Sequence, residues 1–139
     1  MMAVQAYCIR REDTPAYLEQ PRILGWLDAA YAATGLDMPD DLEERLRQGH
    51  MQLWVAYSPG EGQILCAVLT QLAKMRGNLH AQVVAAGGSD VQRWVSCIPT
   101  IEEWAKREGC SKVTVQGRPG WAKLLRRYRR SQVVLELAL

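Results

Sequence analysis

The feature that most constrains this chain is a change of hydrophobic period after Gly87-Gly88. Up to that point, residues 52–57, 63–72 and 79–86 are dense in Val, Ile, Leu, Trp and Tyr and read as strands. Beyond it Val91, Trp94, Val95, Ile98, Ile101, Trp104 and Ala105 recur at helical spacing, and Gly109 ends the stripe. Residues 112–116 then form a short apolar strand directly after the helix. A strand directly after the long helix is what a right-handed crossover to a parallel neighbour requires.

The rest of the chain attaches to that unit by local signals. Residues 4–9 read as a first strand, and the charged run from Arg10 to Asp13 with Pro15 reads as a loop. Pro21 opens a helix carrying Ile23, Leu24, Trp26, Leu27, Ala30 and Tyr31 on one stripe, with Gly35 as its stop. Asp40 and Asp41 begin a short acidic helix that stops at Gly49. Ser58-Pro59-Gly60-Glu61-Gly62 and Arg76-Gly77-Asn78 are turn sequences that fold the next three strands into a meander. Ser89 or Asp90 is placed to cap the long helix. Pro99 must kink or restart it, and a kink is expected, with Thr100 and Glu103 spaced as a capping box. A last helix over residues 120–128 and a last strand over residues 132–139 complete the order.

At 139 residues the chain is the size of one domain, and residues 1–139 are read as a single unit. With 48% apolar and 23% charged residues the composition is globular. Apolar runs are only a few residues long, against the roughly eighteen that a membrane span requires. The first residues lack the features of a secretory signal, so a cytoplasmic protein is expected. Cys8, Cys66, Cys97 and Cys110 are widely separated, which suggests reduced, mostly buried thiols and no metal site. Five acids fall between Asp37 and Glu44, and seven of the seventeen basic residues between Lys112 and Arg130, so charge is polarised along the chain.

Trp104-Ala105-Lys106-Arg107-Glu108-Gly109-Cys110-Ser111-Lys112-Val113, together with the order of elements, resembles the GNAT acetyltransferase superfamily at its passage from long helix to fifth strand. Gly117-Arg118-Pro119-Gly120-Trp121, followed by Lys123-Leu124-Leu125, is similar to a variant found among phage-encoded acetyltransferase-like proteins. The resemblance implies an α/β fold with a mixed, mostly antiparallel six-stranded sheet and helices on both faces. It also implies acetyl-CoA where the fourth and fifth strands splay, with its pyrophosphate on backbone amides of a Q/R-x-x-G-x-G/A loop at the start of the long helix.

Gln82, Ala85 and Gly87 lie on that pattern with Ala in place of its first glycine, which makes Gly87, Gly88 and Ser89 the candidate cofactor-binding residues. Asp90 follows at once. A carboxylate there caps the helix amides itself and repels an arriving pyrophosphate, so the loop reads as degenerate and no cofactor is expected. The family's tyrosine acid, counted from Ala122, falls on Arg126. Tyr128 takes the place of an aromatic that packs beneath the last strand.

His80 is the candidate base, because it lies near where relatives carry a carboxylate and an imidazole is suited to removing a proton from an amine. The competing reading is a strand histidine facing solvent or a neighbouring side chain. Arg118, Lys123, Arg126, Arg127, Arg129 and Arg130 form a candidate anion-binding or partner-binding face on the last helix, with a solvated helix face as the alternative.

Two functions follow. The first is a GNAT-fold protein that acts by protein contact, as a phage virion or assembly component or a homo-oligomer, with nucleic acid as a further candidate partner of the basic helix. The second is an acetyl-CoA-dependent N-acetyltransferase for a small or protein amine.

Overall fold

The computed structural model describes residues 4–89, 95–116, 124–129 and 135–139. Within them the chain forms a five-stranded sheet in the order β1-β2-β3-β4-β5. Strands β1 (Gln5–Cys8), β2 (Met51–Ser58), β3 (Gln63–Met75) and β4 (Asn78–Gly88) are successively antiparallel. Strand β5 (Lys112–Val115) runs parallel to β4, as the change of period requires. The expected sixth strand is not seen in residues 135–139, which are without regular structure, and residues 132–134 lie outside the described residues.

Local chemistry explains most boundaries. Met75 pairs with Asn78 across a two-residue turn in which Arg76 (φ 54°) and Gly77 (φ 82°) both take the left-handed conformation that a tight hairpin demands. Helix α2 (Pro21–Ala33) starts on a proline whose missing N–H is an orphan there in any case. It buries Ile23, Leu27 and Tyr31 on one stripe. Helix α3 (Leu42–Gln48) closes on Gly49, which takes the left-handed conformation its sequence position suggests.

Three expectations are corrected. The charged run at residues 10–13 is not simply a loop: a 3₁₀ turn (Arg11–Asp13) leads into a five-residue helix, α1 (Thr14–Leu18), whose first turn accepts Pro15. The crossover helix α4 spans Ile98–Arg107 and follows a 3₁₀ turn at Val95–Cys97. Pro99 therefore lies in the first turn of this helix and makes no kink within it, and residues 90–94 lie outside the described residues. In the first turn its missing N–H costs nothing, whereas in a helix interior it costs about 3 kcal/mol. Thr100 consequently lies inside the helix, Cys97 occupies the cap without a side-chain hydrogen bond, and the capping box does not form. Residues 124–129 make a turn, with the Tyr128 N–H on the Leu125 carbonyl, and not the second half of a helix. Residues 117–123 lie outside the described residues.

The sheet carries a core on each face. Leu53, Val55, Ala67, Leu69, Val84 and Ala85 face α1, α2 and α3. Trp54, Ala56, Val68, Val83 and Ala86 face α4, with Ile98, Ile101 and Leu125. Consecutive residues Val84 and Ala85 share a face because Leu69 pairs with Ala85 while Thr70 pairs with Val83, a bulge that leaves Val84 unpaired. Thr70 is buried on the α4 face, where its hydroxyl accepts from Trp54 Nε1 and donates to Gln52 Oε1, both at 2.9 Å. Trp54 also meets Trp104 edge to face at 5.5 Å.

Candidate functional site

The seam between β4 and β5 is where the sequence places its candidate residues. The last β4–β5 pair is Val83 with Val115, closed by the Gln116 N–H on the Val83 carbonyl at 2.9 Å. Strand β4 continues through the bulge to Gly88, and among the described residues nothing pairs with its outer edge there. A length of strand unpaired on one side, beside a bulge, is a common setting for ligand contact.

His80 sits on β4 between Ala73 of β3 and Lys112 of β5. It does not face solvent, being only 7% exposed. Its Nδ1 is buried without a hydrogen-bond partner among the described residues. Such an orphan is uncommon in a native fold and marks either an energetic cost or a place for a ligand group. Two residues on, Gln82 accepts a 2.8 Å hydrogen bond from Gln71 across the β3–β4 ladder.

Gly87 and Gly88 belong to β4 and not to a loop at a helix start, pairing with Ala67 and Cys66. A Cβ on Gly87 would stand 2.5 Å from the Trp26 carbonyl oxygen. One on Gly88 would stand 2.5 Å from the Leu65 carbonyl oxygen and from Cys66 Cβ. Both glycines are thus explained by close packing against α2 and β3. The Ser89 N–H donates to the Leu65 carbonyl at 3.0 Å, and its hydroxyl lies 3.4 Å from the same oxygen. Asp90 lies outside the described residues. Behind this turn the thiols of Cys66 and Cys97 meet in the α4-side core. The hydrogen bond to Cys97, with burial, holds the Cys66 thiol well above the usual range. Cys8, by contrast, is exposed and Cys110 half-buried.

Of the expected basic face, Arg118, Lys123 and Arg130 lie outside the described residues. Arg126, Arg127 and Arg129 are exposed on the 124–129 turn. Arg127 is engaged within the chain: its guanidinium donates to both oxygens of Glu102, at 2.7 and 2.9 Å. The Tyr128 hydroxyl donates to the same carboxylate at 2.8 Å. Burial, and then this bond, push the Tyr128 phenol up. The acidic segment is partly discharged in the same way, since Asp41 pairs with Arg45 at 2.8 Å and Glu44 pairs with Arg47. Glu102 was not singled out from the sequence, where an acid on a helix 25 residues before its partner carries no signal.

Two open depressions lie away from this seam. One, of about 340 Å³, is lined by Arg22, Trp26, Tyr57 and Gln63, with the Arg22 guanidinium 4.8 Å above the Trp26 ring. The other, of about 350 Å³, is lined by Arg11, Gln52, Trp104 and Glu108. Neither includes His80, Gly87, Gly88 or Ser89. No helix among the described residues is long and apolar enough to cross a membrane.

The architecture is that of the GNAT acetyltransferases: a mixed sheet, antiparallel through β4, with a parallel β4–β5 seam and a crossover helix. An aminoglycoside acetyltransferase from an uncultured soil metagenomic sample, solved in complex with sisomicin, matches with a TM-score of 0.69 at 13% identity, over 98% of this chain and 96% of its own. A ribosomal-protein-alanine N-acetyltransferase from Brucella melitensis biovar Abortus 2308 matches with 0.65 at 15% identity, over 99% of each chain. Glucosamine-6-phosphate N-acetyltransferase from Arabidopsis thaliana matches with 0.57 at 9% identity, over 99% of this chain and 98% of its own. At such identities the likeness is one of fold. No family model and no curated protein sequence matches the chain.

Proposed function

We propose that this chain is a GNAT-fold protein that works by contact with other proteins, as a virion or assembly component of a phage in the host cytoplasm, and not by acetyl transfer. The observation that carries this reading is the use of Gly87, Gly88 and Ser89 by the fold itself. A pyrophosphate is held by several amides free to point at it. Here the Ser89 amide and hydroxyl are directed at the Leu65 carbonyl, and the two glycines admit the Trp26 and Leu65 carbonyls where a side chain would otherwise stand. Asp90, next in sequence, adds a negative charge beside Ser89 along the chain. Calorimetry of the whole chain with acetyl-CoA tests the reading. No heat of binding is expected at micromolar concentrations, and saturable micromolar binding with transfer to an amine would overturn it.

A second reading, an N-acetyltransferase, is favoured by His80. Its orphaned Nδ1 lies on the strand that borders the seam, and three solved proteins of this fold are named as acetyltransferases of amine substrates or of alanine. In that role His80 would take the proton from the attacking amine. Acetylation of a polyamine, peptide and aminoglycoside panel between about pH 6 and 9, bracketing the ordinary histidine value, is the corresponding assay. Its loss in His80→Ala would support this reading.

A further inference from the structure

We infer that Cys66 and Cys97 are a latent disulfide, closed by a peroxide and reopened by a dithiol, that ties the start of the crossover helix to β3. Neither thiol belongs to the residues on which either reading of the function rests. The two side chains lie in one core cluster, each fully buried, and their thiols share a hydrogen bond. Cys8, exposed on β1, and Cys110, beyond the end of α4, lie outside this cluster.

Cys66 stands between Ala56 of β2 and Gly88 of β4, its partners across the two ladders, on the face that α4 covers. Both neighbours are small. A Cβ on Gly88 would stand 2.5 Å from Cys66 Cβ, so that glycine leaves the room in which the Cys66 side chain lies. Cys97 ends the 3₁₀ turn and occupies the cap of α4, where the backbone passes from one helical form to the other. That cap carries no side-chain hydrogen bond, so the sulfur is not engaged by the amides of its own helix. Filling the core would need only alanine at either position. Two thiols in contact bring in addition a bond that can form between them.

With hydrogen peroxide as the oxidant, Cys97 is the sulfur suited to attack. Its bond with Cys66 holds the Cys97 thiol below its ordinary range although burial opposes this, and the cap of a ten-residue helix favours a thiolate. The same bond, with burial, holds the Cys66 thiol up, so Cys66 keeps its proton through the first step. The Cys97 thiolate takes one peroxide oxygen and the O–O bond breaks. The departing hydroxide leaves as water with the proton that Cys97 gave up. Cys66 sulfur then attacks the sulfenic sulfur of Cys97: the S–S bond forms, the S–O bond breaks, and hydroxide departs with the Cys66 proton as a second water. Together the sulfurs lose two electrons, and the peroxide becomes two waters. The product closes the chain from residue 66 to residue 97, through β3, β4 and the start of α4, and so constrains the unfolded state.

Cys8→Ser with Cys110→Ser leaves this pair as the chain's remaining thiols. Treated folded with hydrogen peroxide in native buffer, that variant should lose about 2 Da as two hydrogens leave. Tryptic mapping should find Cys66 joined to Cys97, and dithiothreitol should reverse both changes. The closed form should melt about 5–15 °C above the open one. Cys66→Ala and Cys97→Ala, each in the same background and each with native circular dichroism, should abolish the mass loss. The same link should be mapped in the parent chain, which makes the result independent of the background. A link that forms only in denaturant, a gain of oxygen at either sulfur without a link, or a linked form that melts below the open one would each overturn the proposal.

Discussion

The carbonyl oxygen of Trp26 stands 2.5 Å from the point where a side chain on Gly87 would begin. Helix α2 is seated on β4 at that contact, so the glycine is a condition of packing the two together. Gly87→Ala should cost about 1–3 kcal/mol, the usual penalty of overpacking against backbone that has little room to retreat. Gly60→Ala meets open space and should stay within about 0.5 kcal/mol of the parent. Urea denaturation of the two variants makes the comparison.

Thr70→Val keeps the shape of the residue but strips the hydroxyl that accepts from Trp54 Nε1 and donates to Gln52. With a buried indole N–H left unpaired, the loss should be about 1–3 kcal/mol. Tryptophan fluorescence, which samples Trp54 and its edge-to-face partner Trp104, should shift with the same substitution.

The Glu102 carboxylate that receives Arg127 and Tyr128 should be visible at alkaline pH. The folded chain holds the Tyr128 phenolic proton more tightly than the unfolded chain does. That part of the stability is complete below about pH 10, the ordinary tyrosine value, and is lost as pH rises through the higher folded value. Glu102→Gln should bring the Tyr128 titration down and flatten the alkaline limb of stability. Ultraviolet phenolate absorbance follows the first effect and thermal melts at stepped pH the second.

His80→Phe should be at least as stable as the parent, since it replaces a buried ring bearing an unpaired nitrogen with an apolar ring. A loss of more than about 2 kcal/mol would mean that the imidazole is satisfied after all. The variant also separates stability from function, because an unimpaired fold that no longer acetylated an amine would favour the catalytic reading.

Much of the frame was legible because its causes are local. The Arg76-Gly77 turn, the glycine stops at Gly49 and Gly109, and the parallel crossover each follow from preferences acting over a few residues. At Pro99 local chemistry allowed two outcomes, a kink or a restart, and the start of the helix at Ile98, with Ile98, Ile101 and Ala105 buried, was not fixed by neighbouring residues alone. The bulge at Val84, the burial of His80 and the approach of Trp26 to Gly87 depend on register and helix placement, which no window of neighbouring residues contains. The same holds for Glu102, joined to partners 25 and 26 residues away. Sequence alone therefore determined the order of elements from Pro21 to Val115 and the sense of the β4–β5 seam. Tertiary structure decided what the candidate site residues do, because burial and hydrogen-bond partnership arise between segments that only the folded chain brings together.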